Sequence, residues 1–278
     1  MTVFLKIAIP DGVVLGTDSR SLVLRKDKRP QVFDGVTKIF RLHKDYRLGV
    51  ITWGVNRIGE ISIEQFMEDI RARLEGRDPE HADWKIDVDK ITVAELSEKV
   101  INYLFHDHYQ KSNFPTGNPA FTTMNFNLAG FSPGRKFPEH VEYSLTPDHI
   151  VGPKASHGKV QVNFSGGSYV GRIITGADPT LASRLDKAGA KKEVAEKTLK
   201  ALGTSSVEEL VPPGMPLYEV AGLVRNLINS EINLRRLGPE PDTVGGDIQL
   251  MVIDHKGCHE MRFKPIGFDI PRNVWDRR

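Results

Sequence analysis

The chain is nearly devoid of cysteine, with Cys258 alone among 278 residues. That excludes an internal disulfide framework and suits a reducing compartment. No run of about 18 apolar residues is present to span a bilayer, and the first residues lack the basic, apolar and small-residue succession of a secretory signal. A dominant charge is missing too: 38 basic and 36 acidic side chains leave a formal net charge of +2. So small a field does not attract nucleic acid by counterion release. These absences give the expectation of a water-soluble, cytoplasmic protein with no membrane and no nucleic acid as partner.

Several motifs of common chemistries are also missing. Gly166-Gly167-Ser168-Tyr169-Val170-Gly171 lacks the Gly-Lys-Ser/Thr ending of a phosphate loop and reads as a glycine-rich strand-to-helix turn. His259-Glu260 has no second histidine at the spacing of a zinc peptidase, and no Gly-x-Ser-x-Gly occurs. His106-Asp107-His108 puts its histidines two apart, on different helix faces, so no metal site is expected.

What is present is a globular composition, 39% hydrophobic and 27% charged, read as a single domain over 1–278. Residues 3–9 and 13–18 are apolar, β-branched runs flanking Pro10-Asp11-Gly12, the pattern of a hairpin; 37–42 and 46–53 read as two more strands. Apolar residues at helical spacing predict amphipathic helices over 58–74 and 93–109. Strand patterns return at 122–131, 139–145 and 159–164, helical ones over 178–187, 190–202 and 216–236, and strands at 247–254 and 258–263. Such segregated blocks point to an α+β fold, two antiparallel sheets face to face with helices outside.

Thr2 follows Met1 directly, and a small second residue favours removal of the initiator. A threonine hydroxyl is a weak nucleophile, but a free α-amine on the same residue, with an ordinary pKa of about 7.7–8.0, can take its proton. The strand starting at Val3 would hold that terminus rigidly. An Asp11-Gly12 turn would pair residues whose numbers sum to about 23, placing Ser21 opposite Thr2 and Asp18 about 10 Å back along the strand. Lys38, at the start of the third strand, reads either as an outward-facing residue of an alternating strand or as a side chain able to reach between Asp18 and Thr2. Gly54, after an apolar strand, reads either as a turn glycine or as a backbone donor near a reacting carbonyl.

Thr2 at a strand start, DGVVLGTDSR at 11–20, Lys38-Ile39-Phe40, Gly54 and VGGDIQLMVID at 244–254 resemble the proteasome β-subunit superfamily, which includes bacterial relatives such as HslV and Anbu. The resemblance implies a four-layer αββα sandwich of N-terminal-nucleophile hydrolase type, with Thr2 as nucleophile, Asp18 and Lys38 as its Asp–Lys pair, Arg20 and Asp242 as supporting residues, and Gly54 as oxyanion donor. It implies no metal or organic cofactor, a peptide or protein substrate, and homo-oligomeric rings or spirals; an unfoldase partner is left open. Two supporting serines of the family are replaced here by Ala177 and Val244. The activity expected is that of a threonine peptidase or amidase. A catalytically silent assembly subunit and an amide-transferring enzyme are the alternatives.

Overall fold

The computed structural model describes residues 2–24, 30–112, 122–157, 160–166, 168–175, 185–189, 191, 193–194, 197, 210–237 and 243–266. The helices expected at 178–187 and 190–202 fall largely outside the described residues, as do Ala177 and Asp242. Before the first helix come β1 (Phe4–Ile9), β2 (Gly12–Asp18), a hairpin of β3 (Ser21–Leu24) and β4 (Pro30–Phe33), β5 (Ile39–Arg41), β6 (Leu48–Gly54), and a short hairpin of β7 (Arg57–Ile58) and β8 (Ile61–Ser62). Then follow α1 (Ile63–Leu74), α2 (Val93–Asn102), β9 (Met124–Gly130), β10 (Glu139–Leu145), β11 (Ile150–His157), β12 (Gln161–Ser165), α3 (Ser168–Thr175), α4 (Leu217–Leu237), β13 (Ile248–Asp254) and β14 (Gly257–Phe263). One five-stranded sheet runs β12-β1-β2-β13-β14 and the other β11-β10-β9-β6-β5, with antiparallel neighbours throughout.

β1 and β2 are buried along their whole length, because each of their faces meets a different apolar cluster. Val3, Leu5, Ile7 and Ile9 point to a cluster shared with α3 and α4. Phe4 and Ala8 point the other way, into a layer with Ile39, Ile51 and Ala129 of the second sheet. The outer face of that second sheet packs Phe126, Leu128 and Val141 against Phe66, Ile70 and Val100 of α1 and α2. The period-two alternation thus divides each central strand between two cores. The result is a mixed α+β arrangement of antiparallel sheets and helices.

The β1–β2 hairpin differs from the expected register. Phe4 pairs with Thr17 and Ile9 with Gly12, so the two-residue turn is Pro10-Asp11. Proline's fixed φ suits the first turn position, while Gly12 lies in the strand, where a Cβ would stand 2.4 Å from the Ile253 carbonyl oxygen. The shift of two residues brings Asp18 beside the start of β1 and sends Ser21 into β3. The first long helix also starts later than its apolar spacing suggests: Ser62 caps α1 by accepting the Gln65 N–H, and Ile58 belongs to β7. A Thr92–Glu95 capping box opens α2, which passes at Tyr103–Tyr109 into a π-helical segment. The β3–β4 hairpin, the β7–β8 hairpin, β11 and α3 have no counterpart among the sequence-based elements.

Candidate active site

The site forms where β1 begins and β2 ends. Asp18 is fully buried and its carboxylate collects four donors: the N–H of Val3 at 3.2 Å, of Arg20 at 3.3 Å and of Gly245 at 2.9 Å, and the Lys38 ammonium at 3.0 Å. Pairing of Ile248 with Asp18 delivers the loop before β13 to this point. Gly245 can approach because a Cβ there would lie 2.7 Å from the Arg20 guanidinium carbon. Nearby, the Thr17 hydroxyl donates to the Val3 carbonyl at 2.8 Å and ties the first residues of the chain to β2. Asp18 therefore touches the start of β1 directly, in contrast to the 10 Å separation expected from the Asp11-Gly12 turn.

Lys38 is held by its main chain from two sides. Its N–H donates to Gln249 Oε1 at 2.9 Å and its carbonyl accepts the Thr52 N–H at 2.9 Å. The side chain is 6% exposed. Its Nζ lies 3.0 Å from Thr2 Oγ1, 3.0 Å from Asp18 Oδ1 and 2.6 Å from the Arg20 carbonyl oxygen, so three acceptors match the three donors of an ammonium. Burial is the larger influence on both members of the pair. It pushes the Asp18 carboxyl above its ordinary pKa, with Lys38 and the Gly245 and Arg20 N–H groups pulling back. It lowers the Lys38 amine, with Asp18 opposing.

Arg20 enters this network through its backbone. Its guanidinium turns away to Asp34, with Nε–Oδ1 at 2.7 Å and Nη2–Oδ2 at 2.9 Å, and holds the Asp34 carboxyl below its usual range. Gly54 ends β6 at φ +97°. The Thr52 N–H faces β5, where it meets Lys38, and the Val55 N–H faces the other way, to Thr123 O at 3.0 Å. Alternation along the strand then directs the Gly54 N–H to the β5 side, beyond Lys38. Val244, where the resembling family has a serine, is fully buried in the apolar cluster with Val3.

Thr2, Lys38 and Gly54 share the wall of one cleft of about 410 Å³, with Ser21, Phe33 and Glu60 among the other lining residues. Across it the Asn56 amide donates to the Ser21 hydroxyl at 2.8 Å. A further contact to Thr2 comes from the turn after β12: Gly166, at φ +72°, lies so close that a Cβ would be 1.7 Å from the Thr2 carbonyl oxygen. Sequence reasoning missed Gly245, Gln249 and Gly166. The signals available were the Gly245-Gly246 pair before a strand and the Gly166-Gly167 pair after one, both marking close backbone approach. Among the described residues no helix is long and apolar enough to cross a membrane, and no cluster of metal-binding side chains is found.

No known family model matches the chain, and no curated protein matches it in sequence.

Proposed function

We propose that the chain is a threonine-type N-terminal-nucleophile hydrolase, a peptidase or amidase that uses Thr2 once Met1 has been removed. The observation that carries this reading is the single ammonium of Lys38 at 3.0 Å from both Thr2 Oγ1 and Asp18 Oδ1. A hydroxyl at a strand start, partly buried on the wall of a cleft and set against a buried Lys–Asp pair, is the arrangement an activated alcohol requires. The clusters on either side of the two sheets are in keeping with the four-layer αββα sandwich implied by the resemblance.

In the mechanism, Thr2 Oγ attacks the substrate carbonyl carbon, and the α-amine of Thr2 takes the hydroxyl proton and passes it to the leaving amine. Lys38, oriented by Asp18, stabilises the forming alkoxide, and the Gly54 N–H binds the oxyanion. Water, activated by the same amine, then cleaves the acyl–Thr2 ester. No metal or organic cofactor takes part in these steps. The substrate is a peptide or protein segment lying in the cleft, and the subunits assemble as a homo-oligomeric ring or spiral in the cytoplasm.

Intact-mass analysis of the purified protein followed by reaction with a threonine-directed electrophile tests the reading. The expected result is loss of Met1 and one adduct on Thr2. A folded protein that keeps Met1 and takes no adduct would instead be a silent assembly subunit, because an acylated amine cannot act as the base. Light scattering that finds a monomer at all concentrations would overturn the assembly part alone.

A further inference from the structure

Among the described residues, a second buried charge pair lies outside the site. Glu231, on α4, is fully buried and Arg235, one turn further, is 5% exposed; Arg235 Nε stands 2.9 Å from Glu231 Oε1. The other carboxylate oxygen accepts the N–H groups of Tyr169 and Val170, both at 2.9 Å, in the first turn of α3. Arg235 also lies 5.8 Å from the centre of the Tyr169 ring. A buried carboxylate is costly unless every lone pair is used, and here it is offset by charge-assisted bonds at the positive end of a helix. A helix of eight residues does not need this for capping alone, since a Ser or Asp side chain at its start would suffice. What the arrangement adds is a fixed position for the first turn of α3 relative to α4.

That position bears directly on Thr2. The chain enters α3 from Gly166, three residues before Tyr169, and a Cβ on Gly166 would lie 1.7 Å from the Thr2 carbonyl oxygen and 3.5 Å from the Thr2 nitrogen. Ser165, just before, still pairs with Phe4. The Gly166 backbone thus stands as a wall against Thr2 on the β12 side of β1, and the first turn of α3, which follows it, bears on where that wall stands. We propose that Glu231 is a positioning residue for the reaction: through the Tyr169 and Val170 amides it fixes α3 and the Gly166 wall that seats Thr2. The inference rests on the reading of Thr2 as the nucleophile.

The test compares the parent with Glu231→Gln/Arg235→Gln, which removes the buried charges together, and with Gly166→Ala, which alters the wall and leaves Glu231 intact. Adduct formation on Thr2 by a threonine-directed electrophile is followed as a function of pH, alongside circular dichroism and thermal unfolding. Both variants should label about 10- to 100-fold more slowly while folded, the size of effect a misplacement of about 1 Å produces. The pH at which labelling is half-maximal should move, because the amine loses its fixed neighbourhood. If the double variant does not fold, Glu231→Asp, which keeps a carboxylate near Arg235 but shortens its reach to the Tyr169 and Val170 amides, takes its place. Parent-like labelling rate and pH profile in a less stable Glu231 variant would make the pair purely structural and overturn the proposal; parent-like labelling of Gly166→Ala would remove the wall from it with the same effect. A parent protein that takes no adduct on Thr2 would instead overturn the nucleophile reading, and this inference with it.

Discussion

Two buried lysines in neighbouring parts of the fold have opposite surroundings. Lys38 is 5% exposed and gives each of its protons to an acceptor within 3.0 Å. Lys6, in the middle of β1, is fully buried, and its Nζ makes no hydrogen bond among the described residues. Position explains the difference. Lys38 lies at the open end of the sheets, where loops bring a carbonyl, a carboxylate and a hydroxyl with free lone pairs. Lys6 is paired across from Leu15 and Asn163, on the strand face that looks into the layer between the sheets, where main-chain groups are already used in ladders. Burial lowers both amines; at Lys38 the charge and hydrogen bond of Asp18 oppose it, whereas Lys6 has no hydrogen-bonded partner among the described residues. Burial accordingly lowers the Lys6 amine to about 7, against the smaller opposing pull of Glu142. His140, pushed down to about 3 by burial and secondarily by Lys6, shares that interior.

The comparison is sharpened by substitutions, beginning with the largest expected loss of rate. Thr2→Ala should remove turnover and electrophile labelling, by more than about 10³-fold, with little change in thermal unfolding, since a partly exposed hydroxyl at the strand start adds little to the core. Turnover at the parent rate would place the nucleophile elsewhere. Lys38→Ala should cost about 10²- to 10³-fold in rate and, by leaving Asp18 buried and unpaired, about 3–5 kcal/mol of stability. Adding Asp18→Asn should restore much of that stability and none of the rate. Urea unfolding and steady-state kinetics on the two variants separate the effects, and a double variant that regains both would reduce Lys38 to a structural residue.

Arg20→Gln should do much less. The Arg20 groups that hold Asp18 and Lys38 are its N–H and its carbonyl, which the substitution keeps. The side chain meets Asp34, which is 50% exposed, and a pair so open to solvent contributes about 0–1 kcal/mol. Kinetics should therefore show a fall of less than about tenfold. A loss as large as that of Lys38→Ala would mean that the guanidinium shapes the site itself.

Much of this arrangement is legible in the sequence because it depends on strand period and punctuation. The alternating runs locate most strands, and Thr2, Asp18, Lys38 and Gly54 stand at strand ends, where side chains or amides escape the ladder. The hairpin register is ambiguous in the sequence because Pro10-Asp11-Gly12 offers two turns of equal length. What selects Pro10-Asp11 is a contact distant in sequence, the closeness of Gly12 to Ile253 on β13. The Asp11-Gly12 turn would move Asp18 away from Thr2. Gly245 and Gly166 escaped notice for the same reason: their partners, Asp18 and Thr2, are far away along the chain. The β3–β4 hairpin has no counterpart in the sequence reading because Asp18-Ser19-Arg20 looks like a polar strand end. Lys6 drew no attention, since one charge within VFLKIAI does not disturb an otherwise apolar run.

Lys6→Met has the smallest predicted effect on rate and tests the contrast from the other side. Lys6 is four residues from Thr2 along β1, about 13 Å at about 3.3 Å per residue, so turnover per folded molecule should stay at the parent level. Stability should change, and in a pH-dependent way. The folded-state pKa of about 7 lies below the ordinary lysine value of 10.5, so between those two values the unfolded chain binds the proton that the folded chain has released. Stability then rises with pH across that window. Below about pH 7 both states are protonated and the folded protein bears the full cost of burying the charge, each pKa unit corresponding to about 1.4 kcal/mol. Methionine fills similar space without a charge, so Lys6→Met should exceed the parent by several kcal/mol in urea unfolding at about pH 6, and the gap should narrow steadily towards about pH 10. Groups that titrate alike in both proteins cancel in the difference, and His140 keeps burial, its larger influence. A gap that is constant with pH would show that Lys6 keeps an ordinary pKa and is partnered after all, and the distinction between the two lysines would then be one of place and no longer one of charge.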